Sequence, residues 1–216
     1  MQSFDNELVD RNLSVARLLT PPFDRTVPSP GYIQGYPPGI RENGGQYTHG
    51  AIWSVIAWCL LGRGDKAVEL FQILNPLEHT KTPGEVRRYK GEPYVMAADV
   101  YTASPHEGRA GWTWYTGAAG WMYQAGIEWI LGLRRKGHRL YIRPCIPDSW
   151  PGFTVRYRFG KTCYVIHVKK KSLSGGAEPN TGSEQRSELV KMNRDNAPYI
   201  ELFDDGQHHE LNITIR

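Results

Sequence analysis

Apolar residues recur at helical spacing from Ile52 onward. Ile52, Val55, Ile56, Cys59 and Leu60 repeat every three or four positions, with Trp53 and Trp58 beside them. Gly62 ends this pattern, and Asp65 is placed to cap a second helix with Ala67, Leu70, Phe71 and Leu74 on its apolar face and Pro76 just past its end. Two helices joined by so short a turn form an αα-hairpin. Upstream, Val9, Leu13, Ala16 and Leu19 predict a helix over residues 5–19, stopped by Pro21-Pro22. Downstream, Ala118, Met122, Ala125 and Trp129 predict a helix over residues 117–131. Gly132 closes it, with Arg134, Arg135 and Lys136 as cations suited to the negative helix end.

The period then drops from helical to two. Phe153, Val155, Tyr157 and Phe159 alternate with Thr154, Arg156 and Arg158. Gly160-Lys161 turns the chain, and Tyr164, Ile166 and Val168 alternate again, which predicts a hairpin. A second hairpin is expected from residues 199–203 and Leu211, Ile213 and Ile215 around Asp204-Asp205-Gly206. Between the helices, residues 21–39 hold six prolines, three glycines, Tyr32 and Tyr36, a composition for a long ordered loop. Residues 83–93 read as irregular or a single helical turn, and residues 94–102 show no period. Residues 172–197, rich in Ser, Gly, Asn, Glu and Lys, read as a flexible excursion. The division expected is a helical part over 1–137 and a β part over 138–216.

Composition narrows this picture little. With 22% charged and 40% hydrophobic residues, the chain reads as ordinary globular protein. Its net charge of +4 sits in short runs, Arg134 to Lys136 and Lys169 to Lys171, so a nucleic-acid partner is not expected. The longest apolar run is too short to span a bilayer, and the N-terminus lacks signal-peptide character. Cys59, Cys145 and Cys163 lie far apart among apolar neighbours, as buried thiols of a reducing compartment would. A cytoplasmic location follows as an expectation.

Chemistry concentrates in Arg41-Glu42-Asn43-Gly44-Gly45-Gln46-Tyr47-Thr48-His49, where a cation, a carboxylate, two amides, a phenol, a hydroxyl and an imidazole surround a double glycine at the mouth of a helix. Glycines admit close backbone approach and the flanking groups can read hydroxyls or an anion; the plain alternative is a polar loop that caps the helix. A second candidate is Thr116-Gly117, at the start of the helix over 117–131. Unpaired N–H groups and the positive helix end suit an oxyanion there, although Thr116 could equally be a simple N-cap. His49 would supply a further donor to a phosphate. Trp112, Trp114, Tyr115, Trp121 and Tyr123 offer sugar-stacking faces, with core packing the expected role for most of them. His106 and Arg109 stand in a loop, His208 and His209 near a turn, and His79, His138 and His167 have no partner in sequence. No metal-ligand spacing, nucleotide-type glycine loop or nucleophile elbow occurs.

Residues 35–49, Gly-Tyr-Pro-Pro-Gly-Ile followed by the motif above, closely resemble the C-terminal part of glycoside hydrolase family 94. So do residues 111–123, Gly-Trp-Thr-Trp-Tyr-Thr-Gly-Ala-Ala-Gly-Trp-Met-Tyr. Leu74-Asn75-Pro76, residues 94–101 and Pro144-Cys145-Ile146-Pro147 look most like its cyclic β-1,2-glucan synthase branch; the likeness fades past residue 172. The resemblance implies a mainly α chain: the C-terminal half of an (α/α)6 barrel, then a small antiparallel β domain. It also implies phosphorolysis of a β-glucan or β-oligosaccharide with inversion, inorganic phosphate being the co-substrate and no cofactor being required. The family's phosphate ligands match His49, Thr116 and Gly117, and its sugar-subsite positions match Glu42 and Gln46.

In such a mechanism phosphate is the nucleophile, so one acid suffices where an inverting hydrolase needs a second carboxylate. The family's acid is an aspartate in an Asp-Trp-Asn-Asp-like motif, which this chain does not contain. The expectation is a fragment holding part of the site without its proton donor, partnered by the missing N-terminal portion or by copies of itself. Two alternatives stay open: an inverting hydrolase with Glu42 as base, and a non-catalytic saccharide-binding module.

Overall fold

The computed structural model describes residues 1–171, 189–193 and 197–215. It divides into two units, Met1–Gly126 and Ile127–Arg216.

The first unit opens with a short helix, α1 (Gln2–Glu7), and not with the helix expected over 5–19. The carboxylate of Asp10 accepts the amides of Asn12 and Leu13 at 3.1 and 3.0 Å. This local turn outcompetes the helical ladder. Ser14 takes a left-handed backbone, and the chain doubles back so that β1 (Val9–Asp10) pairs antiparallel with β2 (Val15–Ala16). Of the residues whose spacing suggested a helix, Val9, Leu13 and Leu19 are half-buried and Ala16 is in the core, beside Val15, which was not among them.

The αα-hairpin forms as its pattern predicts, from α2 (Thr48–Leu60) and α3 (Gly64–Leu74). Ala51, Ile52, Val55 and Trp58 are the buried residues of α2's apolar face, while Leu60 faces solvent. Asp65 is not the cap. Arg63 holds that position, and Asp65 sits in the first turn, where a carboxylate suits the positive helix end. A 3₁₀ turn (Pro76–His79), capped by the Asn75 side chain, leads to α4 (Pro83–Tyr89). That helix, two turns where at most one was expected, starts at a full capping box: Thr82 Oγ1 accepts the Glu85 amide, and Glu85 Oε2 accepts the Thr82 amide. β3 (Gln46–Tyr47) and β4 (Asp99–Val100) form a short antiparallel pair, and α5 (Thr116–Gln124) passes into a π-helical turn at Ala125–Ile130.

Helix does not persist to the basic cluster. Leu133–Lys136 is strand β5, hairpinned with β6 (Arg139–Ile142) around Gly137 at φ +59°, so Arg134 to Lys136 are strand residues and not a helix terminus. β7 (Gly152–Phe159) and β8 (Thr162–Lys170) make the expected hairpin. Then come β9 (Val190–Met192), within the span read as a flexible excursion, β10 (Pro198–Glu201) and β11 (His208–Ile215). The rest of that excursion, residues 172–188 and 194–196, lies outside the described residues.

The second expected hairpin does not form. β10 joins a four-stranded sheet ordered β5-β6-β10-β9, whereas β11 runs parallel to β8 in a sheet ordered β11-β8-β7, so the β part is not purely antiparallel. The Asp204-Asp205-Gly206 stretch is a link between sheets. Asp204 Oδ1 accepts the Lys161 amide at 2.7 Å, and Asp205 Oδ1 accepts the Thr162 hydroxyl at 3.0 Å. Side chains from both sheets form the core, Tyr164, Ile166, Val168, Leu140, Ile142, Ile200, Leu211 and Ile213 among them. Among the described residues no helix is long and apolar enough to cross a membrane.

Candidate functional site

Asn43 fixes the polar motif in place. It is fully buried; its Nδ2 donates to the carbonyls of Phe23 and Tyr36 at 2.8 and 2.7 Å, and its Oδ1 accepts the Phe23 amide at 2.7 Å. One amide thereby ties the proline-rich loop to the motif. Both glycines are needed sterically. A β-carbon at Gly44, whose φ is +86°, would stand 2.8 Å from Pro22 Cβ, and one at Gly45 would stand 2.8 Å from the Arg41 carbonyl. Gln46 is also buried. Its Oε1 accepts the Ala16 amide at 3.0 Å and its Nε2 donates to Thr48 Oγ1 at 3.3 Å, so its amide joins β2 to the head of α2.

His49 lies in the first turn of α2 against the first turn of α5. A β-carbon built on Gly117 would meet only His49, with Nδ1 at 3.6 Å and Cε1 at 3.7 Å. Tyr47 stacks parallel to the imidazole at 6.3 Å, Trp53 meets it edge-on at 5.2 Å and Trp121 stands at 6.1 Å. Thr116 is the first residue of α5 and not its N-cap; Tyr115 holds that position without any capping side chain. The first-turn amides of α5 therefore lack intrahelical acceptors, and Thr116 and Gly117 are exposed. His49, Thr116 and Gly117 thus come together at one corner, where an imidazole faces a positive helix end.

Glu42 is near enough to Tyr47 and Asp99 to act on both electrostatically. Tyr47 and Tyr115 share a hydrogen bond at 3.4 Å, which with burial and the nearby Glu42 carboxylate pushes the Tyr47 phenol up to about 12. Asp99, paired with Tyr47 across β3 and β4, is buried, and burial pushes its carboxyl above the usual range while Arg41 pulls it back. Arg41 takes a left-handed backbone, its amide donates to Asp99 Oδ2 at 3.3 Å, and its guanidinium lies 5.8 and 5.7 Å from the rings of Tyr36 and Trp112. Among the described residues three buried side-chain atoms have no hydrogen-bond partner: Arg41 Nε, Glu42 Oε2 and Asp99 Oδ1. All three belong to this one cluster. Native proteins rarely leave such atoms unpaired, and bound water or a polar ligand would satisfy them.

Asp99 is the site residue that sequence reading missed. Its signal was a lone carboxylate inside an apolar stretch without periodicity. Trp112, Trp114 and Tyr123, for which core packing is the expected role, face solvent; Tyr123 does so because α5 packs through Ala118 and Met122. His106 sits in an exposed turn. His208 is exposed, whereas His79, His138, His167 and His209 have partners. His79 Nε2 bonds the Ile73 carbonyl at 2.7 Å, His167 bonds Thr154 and Glu210 at 3.0 Å each, and His138 meets the Phe159 ring at 5.5 Å. His209 is not simply solvated; it bonds Asp205 at 2.8 Å and stacks on Tyr164. The three cysteines are half-buried, and none is in a disulfide. Among the described residues no cluster of histidine, cysteine and carboxylate is placed to hold a metal ion.

Comparison with known proteins gives the family. Residues 1–132 match the family described as the glycosyl hydrolase 94 superfamily, catalytic domain, and the chain belongs to that family. It is 49% identical over 169 residues to the cyclic beta-(1,2)-glucan synthase NdvB of Rhizobium meliloti, covering 78% of this chain and 6% of that protein. It is 31% identical to the solabiose phosphorylase of Paenibacillus borealis, over 71% of this chain and 20% of that enzyme. With the N,N'-diacetylchitobiose phosphorylase of Vibrio proteolyticus the identity is 33%, over 64% of this chain and 17% of the relative. The chain therefore spans a fifth or less of the length of these relatives.

Proposed function

We propose that this chain carries the anion-binding and part of the saccharide-binding side of an inverting β-glucoside phosphorolysis site. The observation that supports this most directly is the corner at which His49 faces Gly117 across the first turn of α5. In this reading inorganic phosphate sits there, held by the His49 imidazole, the Thr116 hydroxyl and the Gly117 amide. One phosphate oxygen attacks the anomeric carbon as the glycosidic C–O bond breaks on the opposite face. The leaving oxygen takes a proton from an acid, and α-glucose 1-phosphate results. Glu42 turns its unpaired oxygen to a sugar hydroxyl, and Gln46 serves the sugar subsite by bracing the segment from beneath.

The proton donor belongs to a portion of the protein upstream of this chain, which would also complete an (α/α)6 barrel around α2, α3 and α5. The small share of each relative covered here supports that. The 216-residue chain accordingly releases no glucose 1-phosphate from a β-1,2-glucan by itself; release from the purified chain would overturn this part of the reading.

Phosphate titration into the purified chain tests the anion site. His49→Ala should weaken binding by about 1.5–3 kcal/mol, roughly ten- to a hundredfold, as expected for a lost hydrogen bond to a charged group. Gly117→Ala should fold normally, because its new methyl would make only ordinary contact with the imidazole, yet it should weaken phosphate binding by filling the corner. Unchanged phosphate affinity in both variants would leave the site without its anion. The buried Glu42 oxygen is the one feature favouring a hydrolase with Glu42 as base. Turnover by a longer form of the protein in phosphate-free buffer would select that reading.

A further inference from the structure

We propose that the cleft between Tyr94 and Trp114 is a second saccharide subsite, holding a pyranose unit of a β-glucan chain that runs past the His49–Gly117 corner; this rests on the saccharide part of the reading above. The cleft encloses about 440 Å³, and its walls include Asn75, Pro76, Leu77, Tyr94, Trp114 and Thr116. That volume lies within the range of small-ligand sites. Thr116 belongs to both the cleft and the anion corner, so the two are continuous along the start of α5.

The walls are mostly carbon, and the two rings are left open to solvent: Tyr94 is 74% exposed and Trp114 63%. Exposed rings of this size favour a ligand with an apolar face and polar edges. A β-glucopyranose unit is such a ligand. Its hydroxyls are equatorial, so its two faces present C–H groups. Polar contacts for its rim come from the Thr116 hydroxyl and from Asn75, whose amide plane is fixed by accepting the Leu77 N–H at 3.1 Å.

Trp114 is held in place against its own backbone preference. Its φ is +60°, a left-handed conformation costly for a bulky residue, and such strain persists only where the surroundings over-determine it. Here they do. The indole Nε1 donates to Glu92 Oε1 at 3.1 Å, Glu92 also accepts from Thr113, and the next residue's amide donates to the Met96 carbonyl at 3.0 Å. The Tyr94 ring meets the indole edge at 6.1 Å and an interplanar angle of 72°, so the two rings form a corner.

Titration of a β-1,2-linked glucohexaose and, separately, of inorganic phosphate into the full 216-residue chain tests this, using the wild type, Trp114→Gly, Tyr94→Ala and His49→Ala. Glycine adopts φ +60° freely, so Trp114→Gly removes the ring while preserving the loop, and an unchanged circular dichroism spectrum checks this. The expected result is at least a tenfold loss of hexaose affinity in Trp114→Gly and a smaller loss in Tyr94→Ala. Phosphate affinity should be unchanged in both. His49→Ala should lose phosphate and keep hexaose. Equal hexaose affinity in wild type and Trp114→Gly, or no hexaose binding by the wild type, would overturn the subsite whatever phosphate does. Trp114-dependent hexaose binding without phosphate binding would uphold the subsite and remove the anion site instead.

Discussion

Asn43 carries more of the site's architecture than any residue that would touch a ligand. Its side chain makes three hydrogen bonds, all to the backbone of the proline-rich loop. Asn43→Ala would remove the partner of two carbonyls and an amide in the half-buried loop, which at about 0.5–1.5 kcal/mol per bond should lower stability by roughly 2–4 kcal/mol. Loosening should be greatest in residues 21–39, where Arg25 is exposed. A lower urea midpoint and faster tryptic cleavage after Arg25 are the expected outcomes; an unchanged cleavage rate would mean that the loop is held by its own packing. At this scale much was legible. The double glycine announced close backbone approach, and His49 and Thr116-Gly117 stood out by residue type. What Asn43 and Gln46 do was not, because their partners lie 20 and 30 positions away.

Among the elements, long apolar periods were read correctly and short competing signals were not. α2 and α3 repeat their pattern over three turns or more, which tertiary context seldom overrides. The segment after α1 failed because the Asp10 carboxylate captured two amides, an effect that apolar spacing does not encode. α4 was underestimated although Thr82-Pro83-Gly84-Glu85 spells its capping box. The docking of α4 yields a pH prediction. His79 is buried, stacks on Tyr89 at the end of α4 with centroids 4.9 Å apart, and has its pKa lowered chiefly by burial. The unfolded chain therefore binds a proton that the folded chain refuses. Stability is full above the unfolded value of about 6.5 and falls as pH drops through it. Thermal midpoints should decline between pH 7.5 and 5.5, and His79→Gln should flatten that decline. The carboxylates held low by Lys66 and Arg11, Asp5 against its burial and Glu69, act only below about 4.5, outside this window. Asp99 works in the opposite sense, since its raised carboxyl gains stability as it protonates, so the His79→Gln comparison isolates the imidazole.

The two units of the molecule are built from different materials, and they should come apart at different temperatures. Of the 16 large apolar side chains exposed among the described residues, 13 lie in Met1–Gly126. That unit's 20 buried apolar residues include eight alanines, whereas 12 of the 13 in Ile127–Arg216 are larger than alanine. Burial of large aliphatic and aromatic groups stabilises a fold by about 1.5–3 kcal/mol per side chain, and alanine contributes far less. The β unit also has β8 hydrogen-bonded on both edges, to β7 and β11, with the buried Tyr164 bonding Phe203 through both its donor and its acceptor. The helical unit instead turns Trp53, Leu60 and Tyr123 to solvent. Thermal unfolding should therefore proceed in two steps. The helical circular dichroism signal should fall first, together with the fluorescence of Trp53, Trp58, Trp112, Trp114 and Trp121. Backbone amides of β8 should stay protected from hydrogen exchange until the second step. One cooperative transition seen identically by all three probes would show that the units stabilise each other enough to unfold as one.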